Sequence, residues 1–269
     1  MERSSWPAAS PAAYRVAGCG PGDPVDSPGP TPTHTPPTVD VIGLADRCSV
    51  EVDAETQPFA VSSANGEELY AVEARRGDRA IVLVHGSGTR GLCNWTNEMP
   101  WLAESGFRVI AFDGRCIGSS TCREAEDRPI DDLLSVVLAA RTRGATESLV
   151  VAASAGGPLA VQAAAQPNSG VRSVVALSPV GLEEPFTTRD ATAERNVGAA
   201  VKALVPILYV LAPDDSAASV THLEEFQRVS PGSSFEQLPA GAGHAQEVLY
   251  DEARGPSSFR SGFLAFIRK

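Results

Sequence analysis

Five runs along this chain are apolar on both faces, and no other feature limits the fold as much. They are "RAIVLV" (79–84), "FRVIAF" (107–112), "SLVVAA" (148–153), "VRSVVAL" (171–177) and "PILYVL" (206–211). Each is short, rich in β-branched residues and bounded by Gly, Pro, Ser or Asp. A strand with no polar face must be covered on both sides, which is the environment of an inner strand in a parallel sheet. Helix-compatible segments separate the runs: about 94–105, "DDLLSVVLAARTRG", "GGPLAVQAAAQ", the weakly helical "ATAERNVGAAVKALV" and "SVTHLEEFQRVS". "SSFEQLPA" reads as a further short strand and "PSSFRSGFLAFIRK" as a closing helix. Strand and helix in alternation predict an α/β fold, a mostly parallel central sheet with helices on both faces.

Ahead of these runs the period changes to two. "CSVEVDA" and "PFAVSSANGEELYAVEAR" alternate polar and apolar residues, with Asn65-Gly66 between runs. Such a pattern predicts an antiparallel meander with a tight turn leading into the parallel sheet. Still earlier there is no period at all. Residues 21–38, "PGDPVDSPGPTPTHTPPT", cannot present a core face and read as a disordered, extended tether. The expected division is therefore 1–45, a Pro/Thr-rich N-terminal segment, and 46–269, one α/β domain. "VAGCG" (16–20) resembles the lipobox of bacterial lipoproteins, in which Cys19 becomes a lipidated N-terminus attached to a membrane. An exported, cell-surface or secreted protein is the expectation from that stretch. A cytoplasmic protein with an incidental Cys19 is the alternative, because "MERSSWPAASPAAYR" lacks the apolar core of a signal peptide.

The formal net charge is −11 and no Lys/Arg cluster stands out, so nucleic acid is not an expected partner. Four cysteines fall in the α/β region, Cys48, Cys93, Cys116 and Cys122, without the CxxC spacing of a zinc site. A local Cys116–Cys122 bridge is easy to close and leaves Cys48 to pair with Cys93; four free thiols in a reducing compartment are the alternative. No metal or cofactor is expected.

In an open α/β sheet the chemistry gathers at the carboxyl ends of the strands. Those ends carry His85-Gly86-Ser87-Gly88, "DGRCIGSS" (113–120), Ser154, Asp214-Asp215 and, after "FEQLPA", His244 in "GAGHA". Singly, each has an ordinary structural reading. A serine or aspartate before a helix is most often a cap, and a loop histidine needs no function. Together they stand in the order Ser…Asp…His at three predicted strand ends.

From about residue 50 onward the chain resembles the α/β-hydrolase family. The nucleophile elbow Gly-x-Ser-x-Gly is written Ala152-Ala153-Ser154-Ala155-Gly156, with Ala for the first Gly. "DGRCIGSS" is similar to a stretch that is mainly structural in the family, with Cys116 where Gly is usual. The resemblance implies Ser154 as nucleophile, His244 as base and Asp215 as the acid that orients it; Asp214 is the competing acid. It implies an oxyanion hole from the N–H groups of Ser87 and Ala155, with His85 supporting the loop and no metal. The activity implied is hydrolysis of a carboxylic ester or related acyl bond of a small-molecule substrate. A peptidase or acyltransferase would use the same residues, and a non-catalytic binding protein could share the scaffold. The insert 179–205 leaves little beyond its crossover helix for a lid, so an open site is expected, with Trp95 and Phe186 facing it. His34 falls in the tether and His222 on a helix surface.

Overall fold

The runs that are apolar on both faces become the inner strands of one sheet in the computed structural model. The structure describes residues 45, 48–51, 56–64, 66–74, 77–122, 128–181, 205–230, 232–251 and 255–269. Strands β1 (Thr56–Ser62), β2 (Glu68–Ala74), β3 (Arg79–Val84), β4 (Arg108–Phe112), β5 (Glu147–Ala153), β6 (Val171–Leu177), β7 (Ile207–Leu211) and β8 (Ser234–Gln237) form an eight-stranded sheet. Its order is β1-β2-β4-β3-β5-β6-β7-β8. The β1–β2 and β2–β4 pairs are antiparallel and the rest are parallel. A two-stranded ribbon, β9 (Tyr250–Asp251) with β10 (Gly255–Pro256), lies apart from it.

Period two within each strand divides the core. Ala80, Val82 and Val84 point to one face with Val150, Ala152 and Tyr209, under helices α2 (Pro129–Thr142), α3 (Gly156–Ala164) and α4 (Val220–Val229). Ile81 and Leu83 point to the other with Val151, Ala153 and Val210, under α1 (Met99–Glu104) and α5 (Arg260–Ile267). Helices on both faces follow from strands that have no polar side.

Buried charge is paired. Glu73 on β2 receives both Arg108 and Arg143. Arg115 forks onto Asp132, and Ser63 donates to the same carboxylate. A buried carboxylate without such donors costs several kcal/mol, so these networks fix how α2 and the 113–122 loop seat on the sheet.

Three local expectations are corrected. "CSVEVDA" does not begin with a strand: Cys48 lies in a helical turn and Ser49 in a left-handed turn at φ 56. Cys48 is tied instead to Cys93, with Cα atoms 5.2 Å apart. The helix expected over 94–105 is split into a 3-10 turn at Gly91–Trp95 and α1, which starts at Met99 with Pro100 in its first turn. Trp95 does not face a pocket; it is fully buried against the α1 face of the sheet. The physical cause is the 3-10 turn, held down by Leu92 N–H donating to Asp113 (3.0 Å) and by the Cys48–Cys93 bridge. Cys116 and Cys122 form the second pair, with Cα atoms 4.3 Å apart. The lipobox-like stretch, the Pro/Thr tether with His34, Phe186 and most of the lid insert lie outside the described residues.

Candidate active site

Register decides which side chains meet. Val84 pairs with Ala152, Ala153 with Leu177, and Leu177 with Val210. The residues next in the chain, His85, Ser154 and Ser178, therefore emerge along one edge of the sheet, and the segment after β7 reaches the same edge.

Ser154 sits at φ 50, a left-handed conformation that costs a side chain-bearing residue about 1–3 kcal/mol. The turn is enforced from both sides. Ser154 N–H donates to Leu177 O (2.9 Å), and Gly157 N–H donates to Ser154 O (2.9 Å). Helix α3 then starts so close to β3 that a Cβ on Gly156 would stand 2.6 Å from His85 O. Only glycine permits that approach. Ser154 is thus lifted on a sharp strand-to-helix turn, in contact with the loop after β3. It is not the cap of α3, whose N-cap position is taken by Ala155 without any side-chain bond. Ser154 Oγ makes no hydrogen bond within the described residues, His244 included.

His85 is buried and shapes that loop. Gly114 N–H donates to its Nε2 at 3.0 Å, so the ring proton is on Nδ1, which donates to Gly86 O at 2.7 Å. A trans peptide points its N–H opposite its carbonyl. Turning the Gly86 carbonyl toward the ring therefore sends the Ser87 N–H outward. Among the described residues neither the Ser87 nor the Ala155 N–H has an acceptor. Asp113, in "DGRCIGSS", is structural: its carboxylate accepts the N–H of Leu92 and Ser119.

The two candidate acids separate cleanly. The Asp215 side chain is fully buried, and His244 Nδ1–H donates to it, 2.9 Å from each oxygen. Its Oδ1 also accepts the N–H of Ala217 (2.9 Å) and Ala218 (3.0 Å). Burial by itself raises its pKa. The neighbouring Ser178 hydroxyl and the donors of Ala217, His244 and Ala218 outweigh burial and hold the carboxyl below its usual value. Ser178 Oγ stands beside the carboxyl but completes no hydrogen bond of good geometry. Asp214 points elsewhere: both its oxygens lie 2.9 Å from Gly241 N–H, which pins the loop carrying His244. That loop is also closed on its far side, where His244 N–H donates to the Glu247 carboxylate (3.0 Å). A Cβ on Gly243 would stand 2.8 Å from Glu247 Cβ, so glycine there lets Glu247 fold back.

The structure thus joins His244 to Asp215 and seats Ser154 against the His85–Gly86 loop on the same sheet edge. His222 is half-buried, and its Nδ1 accepts the N–H of Ser219, the cap of α4. Sequence reasoning passed over Ser178, at φ 47 and fully buried beside Asp215. A serine directly after an apolar strand, as at Ser154, was the available signal. It also passed over Glu247, for which a single charged residue in a loop offers none.

A family profile described as the alpha/beta hydrolase fold matches residues 79–195. No curated protein matches the chain. Among solved structures, an esterase from Pyrococcus furiosus superposes with a TM-score of 0.62 at 16% identity, covering 80% of this chain and 90% of that one. An esterase from Exiguobacterium antarcticum gives 0.60 at 14% identity, covering 79% and 100%. A serine hydrolase involved in carbazole degradation gives 0.58 at 22% identity, covering 79% and 99%.

Proposed function

We propose that this chain, whose fold is that of the α/β hydrolases, is a serine hydrolase cleaving a carboxylic ester, or a related acyl bond, through an acyl-enzyme. The observation that carries this reading is the strained Ser154, raised on its turn at φ 50 on the sheet edge where the buried Asp215 orients His244. With Nδ1–H committed to Asp215, the lone pair of neutral His244 is on Nε2. There it can take the Ser154 proton as Oγ attacks the acyl carbon. The negative charge that develops on the carbonyl oxygen goes to the N–H groups of Ser87 and Ala155, each worth about 3 kcal/mol in such sites. His244 returns its proton to the departing oxygen, the alcohol leaves, and Ser154 holds the acyl group. Water, deprotonated by His244 in its turn, releases the acid and restores Ser154.

The Cys48–Cys93 and Cys116–Cys122 pairs support the reading that the protein works in an oxidising, extracytoplasmic compartment. Attachment through a lipidated Cys19 belongs to the same proposal. The test of activity is labelling by a fluorophosphonate, mapped by peptide mass, beside hydrolysis of a series of chromogenic acyl esters. We expect one label per chain, on Ser154, and loss of both labelling and hydrolysis in Ser154→Ala. An unlabelled Ser154, or a Ser154→Ala protein that keeps its esterase rate, overturns the proposal and favours a binding protein on this scaffold.

A further inference from the structure

A cleft of about 700 Å³ opens between the segment that follows the oxyanion loop and the segment that follows His244. One wall runs from Arg90 to Glu98, the other from Gln246 to Tyr250, and the Cys48–Cys93 bridge borders it. Both walls start at the site already described. Arg90 comes four positions after Gly86, and Gln246 two after His244. The lining is not that of an acyl-chain groove. It offers the amides of Asn94, Asn97 and Gln246 and the hydroxyls of Thr96 and Tyr250. Its charges are balanced: Arg90 is a cation, Glu247 already carries the His244 N–H, and Glu98 is nearly inaccessible to solvent.

Glu98 is the unusual member. It is 1% exposed, and its Oε2 is buried with no hydrogen-bond partner. Burial pushes its pKa up to about 8, against the opposing charge of Arg260, so at neutral pH it is a carboxylic acid that both donates and accepts. An unpaired polar atom in a wall of this kind calls for a partner. Amides and hydroxyls each combine donor and acceptor, and a vicinal diol presents the same pair of functions. A cation or an anion finds no net countercharge here.

Position selects the part of the substrate. The leaving oxygen must come within hydrogen-bond reach of His244 to receive its proton, so the alcohol portion departs on the His244 side, where the Gln246–Tyr250 wall begins. We propose that this cleft is the subsite for an uncharged, polyhydroxylated alcohol portion, such as the sugar of an acylated sugar, with Asn94 and Gln246 as its principal contacts. The inference rests on the acyl-hydrolase reading for its place in a reaction, but its binding test does not need turnover.

The test uses full-length Ser154→Ala protein, titrated by calorimetry with glucose 6-butyrate and with hexyl butyrate, which share an acyl group. We expect the sugar ester to bind at least tenfold more tightly. That preference should fall to about twofold or less when Asn94→Leu and Gln246→Leu are added; both side chains are half-exposed, so the fold should survive. The exposed Asn97→Leu, tested singly, should lower the preference by a smaller factor. Equal affinity for the two esters, or a preference that survives the Asn94 and Gln246 changes, overturns the subsite. Fluorophosphonate labelling of the parent enzyme is read separately. A sugar preference in a protein whose Ser154 does not label keeps the cleft and discards the hydrolase; labelling without the preference does the reverse.

Discussion

Replacing Asp215 by Asn exchanges a single oxygen for NH2, and the bonds around that oxygen set the size of the effect. Oδ1 accepts the N–H of Ala217 and Ala218, at 2.9 and 3.0 Å. An asparagine keeps both bonds only by placing its oxygen there. Its NH2 then occupies the Oδ2 position, 2.9 Å from His244 Nδ1, while the retained oxygen, also 2.9 Å from Nδ1, is already engaged by two backbone donors and is a poor third acceptor. The flipped amide would set the NH2 against two backbone donors, each costing about 1–3 kcal/mol when left unsatisfied, so the flip is worse by about 2–6 kcal/mol. The imidazole yields instead: Nδ1 becomes the acceptor and Nε2 carries the proton. A protonated Nε2 cannot receive the proton of Ser154. The expected loss is about 10³–10⁴ in kcat, or roughly 4–5.5 kcal/mol of barrier, and smaller than the loss from Ser154→Ala or His244→Ala. The assay is the first-order rate of fluorophosphonate labelling at Ser154, with hydrolysis of a chromogenic ester in parallel. Asp214→Asn is the control. Both Asp214 oxygens face one N–H, that of Gly241, so the amide oxygen can keep that bond and the rate should stay within about threefold. An Asp215→Asn protein within about tenfold of the parent, or an Asp214→Asn protein as impaired as expected for Asp215→Asn, rules out this tautomer mechanism.

Gly156→Ala, at the first position of α3 where helix propensity counts little, should lose about 1–3 kcal/mol to the contact with His85 O. Because that contact sets the spacing of α3 and the His85–Gly86 loop, the labelling rate should fall about 10–100-fold; an unchanged rate at lowered urea stability would separate this contact from function. Glu98 keeps its proton in the folded protein up to about pH 8 while the unfolded chain ionises near 4.5, so its burial costs stability progressively as pH rises through that window. Glu98→Gln should therefore gain on the parent in denaturant midpoint between those limits, and a gap that does not change with pH counts against it. Asp215, held below the usual carboxylate value, stays ionised at neutral pH, and its own contribution to stability disappears only as pH falls through its lowered pKa. Urea midpoints of the parent and Asp215→Asn should therefore converge as pH falls through that lowered value, and a gap that stays constant counts against it. Protein from an oxidising host should be four hydrogens lighter than the all-thiol form, from its two bridges; an all-thiol mass there excludes both.

The architecture was legible because it rests on local patterns. A strand buried on both faces must read as a continuous apolar run whatever its neighbours are, and Val82, Val150 and Val174 announce themselves in this way. The parallel sheet, the helices on both its faces and the carboxyl edge bearing Ser154 and His244 all follow from such runs and their order. The Cys116–Cys122 pair, six positions apart, is local in the same sense. Tertiary structure decided what depends on direction and on partners far along the chain. Asp214 and Asp215 are adjacent and chemically identical, yet one holds Gly241 and the other His244, because consecutive loop side chains diverge and only the packed loops assign their targets. Trp95 reads as a pocket residue until Asp113 and Cys48 pull its turn down onto the sheet. Cys48 itself sits in an alternating run that promises a strand, and its bridge to Cys93 places it elsewhere. The placement of Ser178 beside Asp215 and the fold-back of Glu247 onto His244 likewise depend on strand register and on glycines that allow close approach. Periodicity records how each residue meets the core as a whole, whereas chemistry at this site requires particular atoms from separate segments to meet, and that is settled only when the segments pack.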